Sequence, residues 1–171
     1  MNFRKEQLLE LIAQIAPNRY LQALLIIILF YGLAKALDFI IVRVIKRWTE
    51  KTKFTVDDQI LDIFHRPIFV SVMLFGLALS TERLELPGTF NFLTLATLKT
   101  MAIFIWAMAL TRFVKLLLRL VSNDESRFAI IQERTLPLFN HFSMILMAGL
   151  AIYFVFLAWN IDVTALSLIH I

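Results

Sequence analysis

Between Arg134 and Asp162 the chain reads RTLPLFNHFSMILMAGLAIYFVFLAWNID, with no Asp, Glu, Lys or Arg inside those two ends. The charge-free window, Thr135 to Ile161, holds 27 residues, which as an α-helix extend about 40 Å. Bilayer hydrocarbon is about 30 Å thick, so such a helix crosses it with some tilt. Thr135 is expected to cap the first turn, and Pro137 is tolerated there because its missing N–H would have no helical partner. Trp159 and Asn160 mark the far interface, where an amphipathic indole ring is favoured. Beyond them, Asp162 or Thr164 reads as the cap of a further helix.

The rest of the chain belongs to the same class. Sixty per cent of the residues are hydrophobic and sixteen are Phe, against about 45–50% apolar in average globular chains. An unusually apolar soluble helical core is the competing reading, but several apolar runs reach spanning length. With no cysteine, disulfides and thiolate metal sites are excluded. The net charge of +4 comes from basic residues beside apolar segments. That placement favours anionic lipid headgroups as partners over nucleic acid.

Four spans are expected, over about residues 20–45, 60–80, 93–121 and 136–159, within a four-helix membrane region covering 20–165 and preceded by a segment over 1–19. In that segment Leu8, Leu11, Ile12 and Ile15 recur at helical spacing, which suits a short amphipathic helix on the membrane surface. A tail without structure is the alternative. Glu6, Glu10 and Gln14 interrupt it too often for a cleavable signal peptide. Lys35 and Asp38 fall inside the first span at i, i+3, where opposite charges on one face can neutralise one another. A coupling-ion site is the sharper reading of this pair; local pairing is preferred. Thr55 can cap the second helix, with Asp57 and Asp58 at its positive end, and Pro67 inside it should produce a kink. Residues 80–94 carry turn chemistry. On the third span Arg112, Lys115 and Arg119, spaced i, i+3, i+7, share one face near its exit.

Lys and Arg counts set the orientation. Residues 43–66 and 112–134 hold eleven of the seventeen Lys and Arg, so the loops over 46–66 and 122–134 are expected to be cytoplasmic, with the N-terminus and residues 160–171 outside.

No catalytic constellation emerges. The chain lacks HExxH, Gly-x-Ser-x-Gly, Walker and dinucleotide-binding patterns. His65, His141 and His170 have no acidic or sulfur partner at ligand spacing. The chain is therefore not expected to be an enzyme, and no cofactor, metal or small-molecule substrate is expected. Two physical features remain. Arg112, Lys115, Arg119 and Arg134 are placed to hold lipid headgroups or simply to anchor the helices positive-inside. Ala148, Gly149, Ala151 and Ala158 give the fourth span a small-residue stripe, which either allows close approach of another helix or is ordinary background.

A fourth span closed by Trp159-Asn160-Ile161-Asp162-Val163-Thr164-Ala165-Leu166 resembles the pre-pore helix and pore-helix start of the MscS-type small-conductance mechanosensitive channel family. Arg134-Thr135 at the start of that span and Val56-Asp57-Asp58 ahead of the second are similar to the same family. The resemblance covers the membrane part only. It implies an all-α membrane fragment of a member with extra N-terminal helices, ending before the pore helix and the cytoplasmic β-domain. It further implies a bacterial inner-membrane homo-oligomer, heptameric, that is gated by bilayer tension and releases ions and small osmolytes on hypo-osmotic shock. The Ala148–Ala158 stripe would then lie against the pore helix. Residues 166–171, LSLIHI, do not continue the family pattern and read as a non-native tail, such as a translated library adapter. Two other classes stay open: a secondary-transporter fragment using Lys35 and Asp38, and a helical membrane scaffold without transport activity.

Overall fold

A computed structural model of the chain describes residues 18–49, 55–122 and 135–162. These residues form four α-helices: α1 (Arg19–Thr49), α2 (Thr55–Arg83), α3 (Gly88–Ser122) and α4 (Leu136–Ala158). All four contain a stretch long and apolar enough to cross a membrane, and the described residues hold no strand. The described residues are thus helical with short connections, and four such helices indicate a multi-pass membrane protein. Helices suit that solvent because they satisfy every backbone N–H and C=O within the segment, where hydrocarbon offers no partner. The amphipathic helix expected before residue 18, Arg134, Thr164 and the tail over 166–171 lie outside the described residues.

The stretches apolar enough to cross a membrane lie in Arg19–Arg43, Gln59–Arg83, Gly88–Ser122 and Leu136–Ala158, and the helix ends differ from those expected. The turn expected over residues 80–94 shrinks to residues 84–87, because α2 continues to Arg83 and α3 starts at Gly88. Side chains explain part of the extension. Thr81 Oγ1 donates back to the Leu77 carbonyl at 2.9 Å, and Thr94 Oγ1 does the same to Phe90 at 2.8 Å. These hydroxyls fold onto the preceding turn instead of competing for a loop conformation. As expected of a proline inside the helix rather than at its end, Pro67 lies within α2 and is buried.

Thr135 stands at the cap position of α4 but does not cap it with its side chain. Its backbone is already in the right-handed helical region (φ −96°, ψ −13°), and no side-chain cap hydrogen bond forms. A capping hydroxyl normally requires extended backbone at that residue. At the other end the stop is well made. Asn160 takes the left-handed conformation (φ 53°), Asn160 N–H donates to Leu157 O at 3.2 Å and Ile161 N–H to Phe156 O at 2.9 Å. This pair of bonds is a Schellman ending, with asparagine in the place glycine usually takes.

The described residues pack as two units: 18–49 with 68–98, and 55–67 with 99–162. In the first, Ile26 and Leu79 form the buried centre, with Phe30 packed against them. Phe30 meets Phe75 edge-on, centroids 5.7 Å apart. The buried Ser80 hydroxyl donates to the Ala23 carbonyl at 3.2 Å, joining α2 to α1. The chain can approach this closely because residue 76 has no side chain; a β-carbon there would collide with the Phe30 side chain. At the mouth of this unit Arg19 pairs with Glu85 at 2.6 Å, both side chains exposed.

Gly76→Val should therefore separate α1 from α2 and cost about 1–3 kcal/mol by overpacking. Gly32→Ala, where a β-carbon meets nothing within 4 Å, should be neutral or slightly stabilising, since alanine favours the helix by roughly 0.5–1 kcal/mol. Thermal unfolding in detergent micelles compares the two. A midpoint for Gly76→Val equal to that of Gly32→Ala would contradict the close α1–α2 contact.

Candidate functional site

The second unit brings together residues that the sequence presents as separate features. Phe64, from the first half of α2, packs on an aromatic strip of α3: its ring lies 6.2 Å from Trp106 and 5.2 Å from Phe113. These two α3 residues are seven apart and so share a face. About 180° around α3 from that strip lies a second face, carrying Phe104, Met108 and Lys115. Between the two, Ala107 turns towards α4.

α4 runs antiparallel to α3. At one end the Trp159 Nε1–H donates to Thr100 Oγ1 at 3.0 Å. The indole expected to mark an interface thus also fastens α4 to α3. Further along, Ala107 and Ala151 both border two openings between the helices. One opening, of about 240 Å³, is wholly apolar and includes Trp106, Leu110 and Phe154. The other is a groove of about 470 Å³ whose walls include Phe104, Met108, Met144 and Ala148, with Thr111, Arg112 and Lys115 towards one end.

The residues singled out from the sequence divide accordingly. Arg112 (exposed) and Lys115 (half-buried) line the groove, whereas Arg119 is exposed and outside its walls. Ala148 and Ala151 also line it. The small-residue stripe does not act as one surface. Ala151 and Ala158 are buried within this unit, while Gly149, about 160° around α4 from Ala151, faces open space. Around Gly149 stand Phe142, Ile145 and Ile152, each more than half exposed.

Lys35 and Asp38 belong to the other unit. Lys35 is exposed on α1, with Nζ 5.9 Å above the Phe69 ring, and Asp38 is half-buried one turn further on. Neither groove is lined by this pair. His141 is held locally, its Nδ1–H donating to the Pro137 carbonyl at 2.6 Å. Among the described residues no three His, Asp or Glu side chains converge on a point where they could hold a metal.

Periodicity could not reveal the groove. Its walls are apolar residues that a spanning helix would carry on any face. Only the three methionines among them, Met108, Met144 and Met147 of the six in the chain, carry a signal, since methionine adapts to irregular packing.

Trp159→Phe or Thr100→Val should each remove the fastening at one end of the α3–α4 pair, at about 0.5–1.5 kcal/mol. The double variant should cost little more than either single one, because both delete the same bond. Additive losses in thermal unfolding would mean that the two side chains act separately.

No protein-family model, no curated protein and no solved structure matches the chain.

Proposed function

We propose that this chain is the tension-sensing membrane part of a mechanosensitive channel subunit of the MscS type, releasing ions and small osmolytes on hypo-osmotic shock. The observation that carries the reading is the Trp159–Leu166 motif at the end of the fourth span. Two features of the structure support it. The motif's first residues coincide with a defined helix stop at Asn160–Ile161, so a following helix can set off in a new direction. The spans also leave broad apolar faces uncovered, such as Tyr20 to Phe39 on α1 and Leu138 to Leu157 on α4, which suits contact with lipid and with further subunits.

On this reading the assembly is a homo-oligomer, heptameric by family likeness, in a bacterial inner membrane. Residues 46–66 and 122–134 are cytoplasmic; the N-terminus and residues 160–171 are outside. A pore-lining helix follows Asp162, and a cytoplasmic β-domain follows that. Tension does work in proportion to the gain in in-plane area, so lipid-facing helices coupled to a pore helix convert it into a shift towards the open population.

The test is expression of the complete gene product in a bacterium stripped of its tension-gated channels. Patch clamp should show currents activated by suction, and cells should survive osmotic downshock. Absence of such currents up to lytic tension would overturn the proposal. Asp38→Asn should leave the currents in place; loss of an ion-coupled uptake in that variant would instead favour a transporter.

The orientation has its own test. The chain has no cysteine, so Asp162→Cys offers one clean thiol. A membrane-impermeant maleimide should label it from outside in intact cells. Labelling only after the membrane is opened would reverse the topology and remove the direction a pore helix needs.

A further inference from the structure

We propose that the groove between α3 and α4 is a binding site for one anionic phospholipid, with its phosphate held by Arg112 and Lys115 and one acyl chain lying along Phe104, Met108, Met144 and Ile152. This goes beyond headgroup anchoring by a basic face, and it does not rest on the channel reading.

Charge complementarity carries the argument first. Neither α3 (Gly88–Ser122) nor α4 (Leu136–Ala158) contains an Asp or Glu. Arg112 and Lys115 make no hydrogen bond or ion pair with a described residue. Asp62, an acidic residue of this unit on α2, is exposed and likewise pairs with neither of them. Two cations thus stand at the end of an apolar groove whose two helices supply no counter-charge. A cation beside hydrocarbon is costly unless an anion or water reaches it.

Dimensions come next. From Phe104 to Lys115 the groove follows α3 for about 16 Å, roughly the thickness of one leaflet of a hydrocarbon core about 30 Å deep. Its volume of about 470 Å³ is that of a ligand-sized pocket, commonly about 300–1,000 Å³. Counting turn for turn from the Thr100–Trp159 bond places Lys115 level with Met144, and Arg119 level with Asn140. Asn140 and the exposed His141 continue the polar level beyond the basic end, and the Asn140 Oδ1 is buried without a hydrogen-bond partner. The polar end of the groove therefore meets a polar belt, and its apolar end points into the depth of the span. An amphiphile with an anionic head fits this polarity; a free phosphate would leave the apolar part of the groove unfilled.

Methionine also matters here. Met108, Met144 and Met147 adapt their shape to a chain that is itself flexible, which a wall of β-branched residues would not do.

The experiment uses the full chain purified in a non-ionic detergent and titrated with phosphatidylglycerol or phosphatidylcholine of identical acyl chains. Retained lipid is counted by native mass spectrometry. The wild-type chain should hold one phosphatidylglycerol roughly five- to thirtyfold more tightly than phosphatidylcholine, the effect of one to two cations near a surface. Arg112→Gln with Lys115→Gln should abolish that preference, whereas Lys99→Gln, on the same helix outside the groove, should keep it. Ala148→Phe should lower retention of both lipids by filling the groove. Equal retention of the two lipids by the wild-type chain overturns the proposal without reliance on any variant. So does displacement of phosphatidylglycerol by millimolar inorganic phosphate, which would make the site one for free anions.

Discussion

Hydrocarbon gives helices no gain for burying apolar surface against one another, since lipid tails are as apolar as leucine. Association must then come from close packing and from the few polar bonds between helices. Both packing units of this chain follow that constraint. In the first, the absent side chain of Gly76 admits Phe30 and the Ser80 hydroxyl reaches the Ala23 carbonyl. In the second, small residues such as Ala109, Ala151 and Ala158 are buried, and the Trp159 indole donates to Thr100. Each unit thus includes a hydrogen bond between helices. Large side chains such as Leu24, Ile28, Phe142 and Ile145 point outward instead, the reverse of a soluble core.

This inversion also explains how much of the fold was legible in the sequence. Spanning segments are a property of composition over a window, so all four could be read from hydropathy. Their ends depend on single residues with two possible roles. Ser80 and Thr81 look like the start of a loop, yet their hydroxyls bond to backbone carbonyls on α1 and on the preceding turn of α2, and the helix continues. Thr135 looks like a cap, and its backbone conformation denies it that role. Trp159 and Asn160 read as the far interface on the strength of the indole ring; the structure adds a helix stop there, where asparagine tolerates left-handed backbone better than most residues.

The site was legible only in pieces. Spacing on one helix places Arg112, Lys115 and Arg119 on a common face, but only packing against α4 separates the two that line the groove from the third. In the same way, Ala148, Gly149, Ala151 and Ala158 read as one stripe when only spacing is considered. The structure splits them because Gly149 is nearly opposite Ala151 around the axis. A groove between two helices is a relation between them, and neither sequence alone encodes it.

The two openings beside Ala107 and Ala151 bear on how the chain tolerates change. A joint with spare room on both sides accepts larger side chains by filling space, so drift along the α3–α4 seam should be cheap in stability. The α1–α2 seam has no such slack at Gly76, where even one added carbon collides with Phe30. Mutational freedom is therefore distributed unevenly over a molecule whose helices look alike in composition, with a permissive seam in one unit and an exacting one in the other.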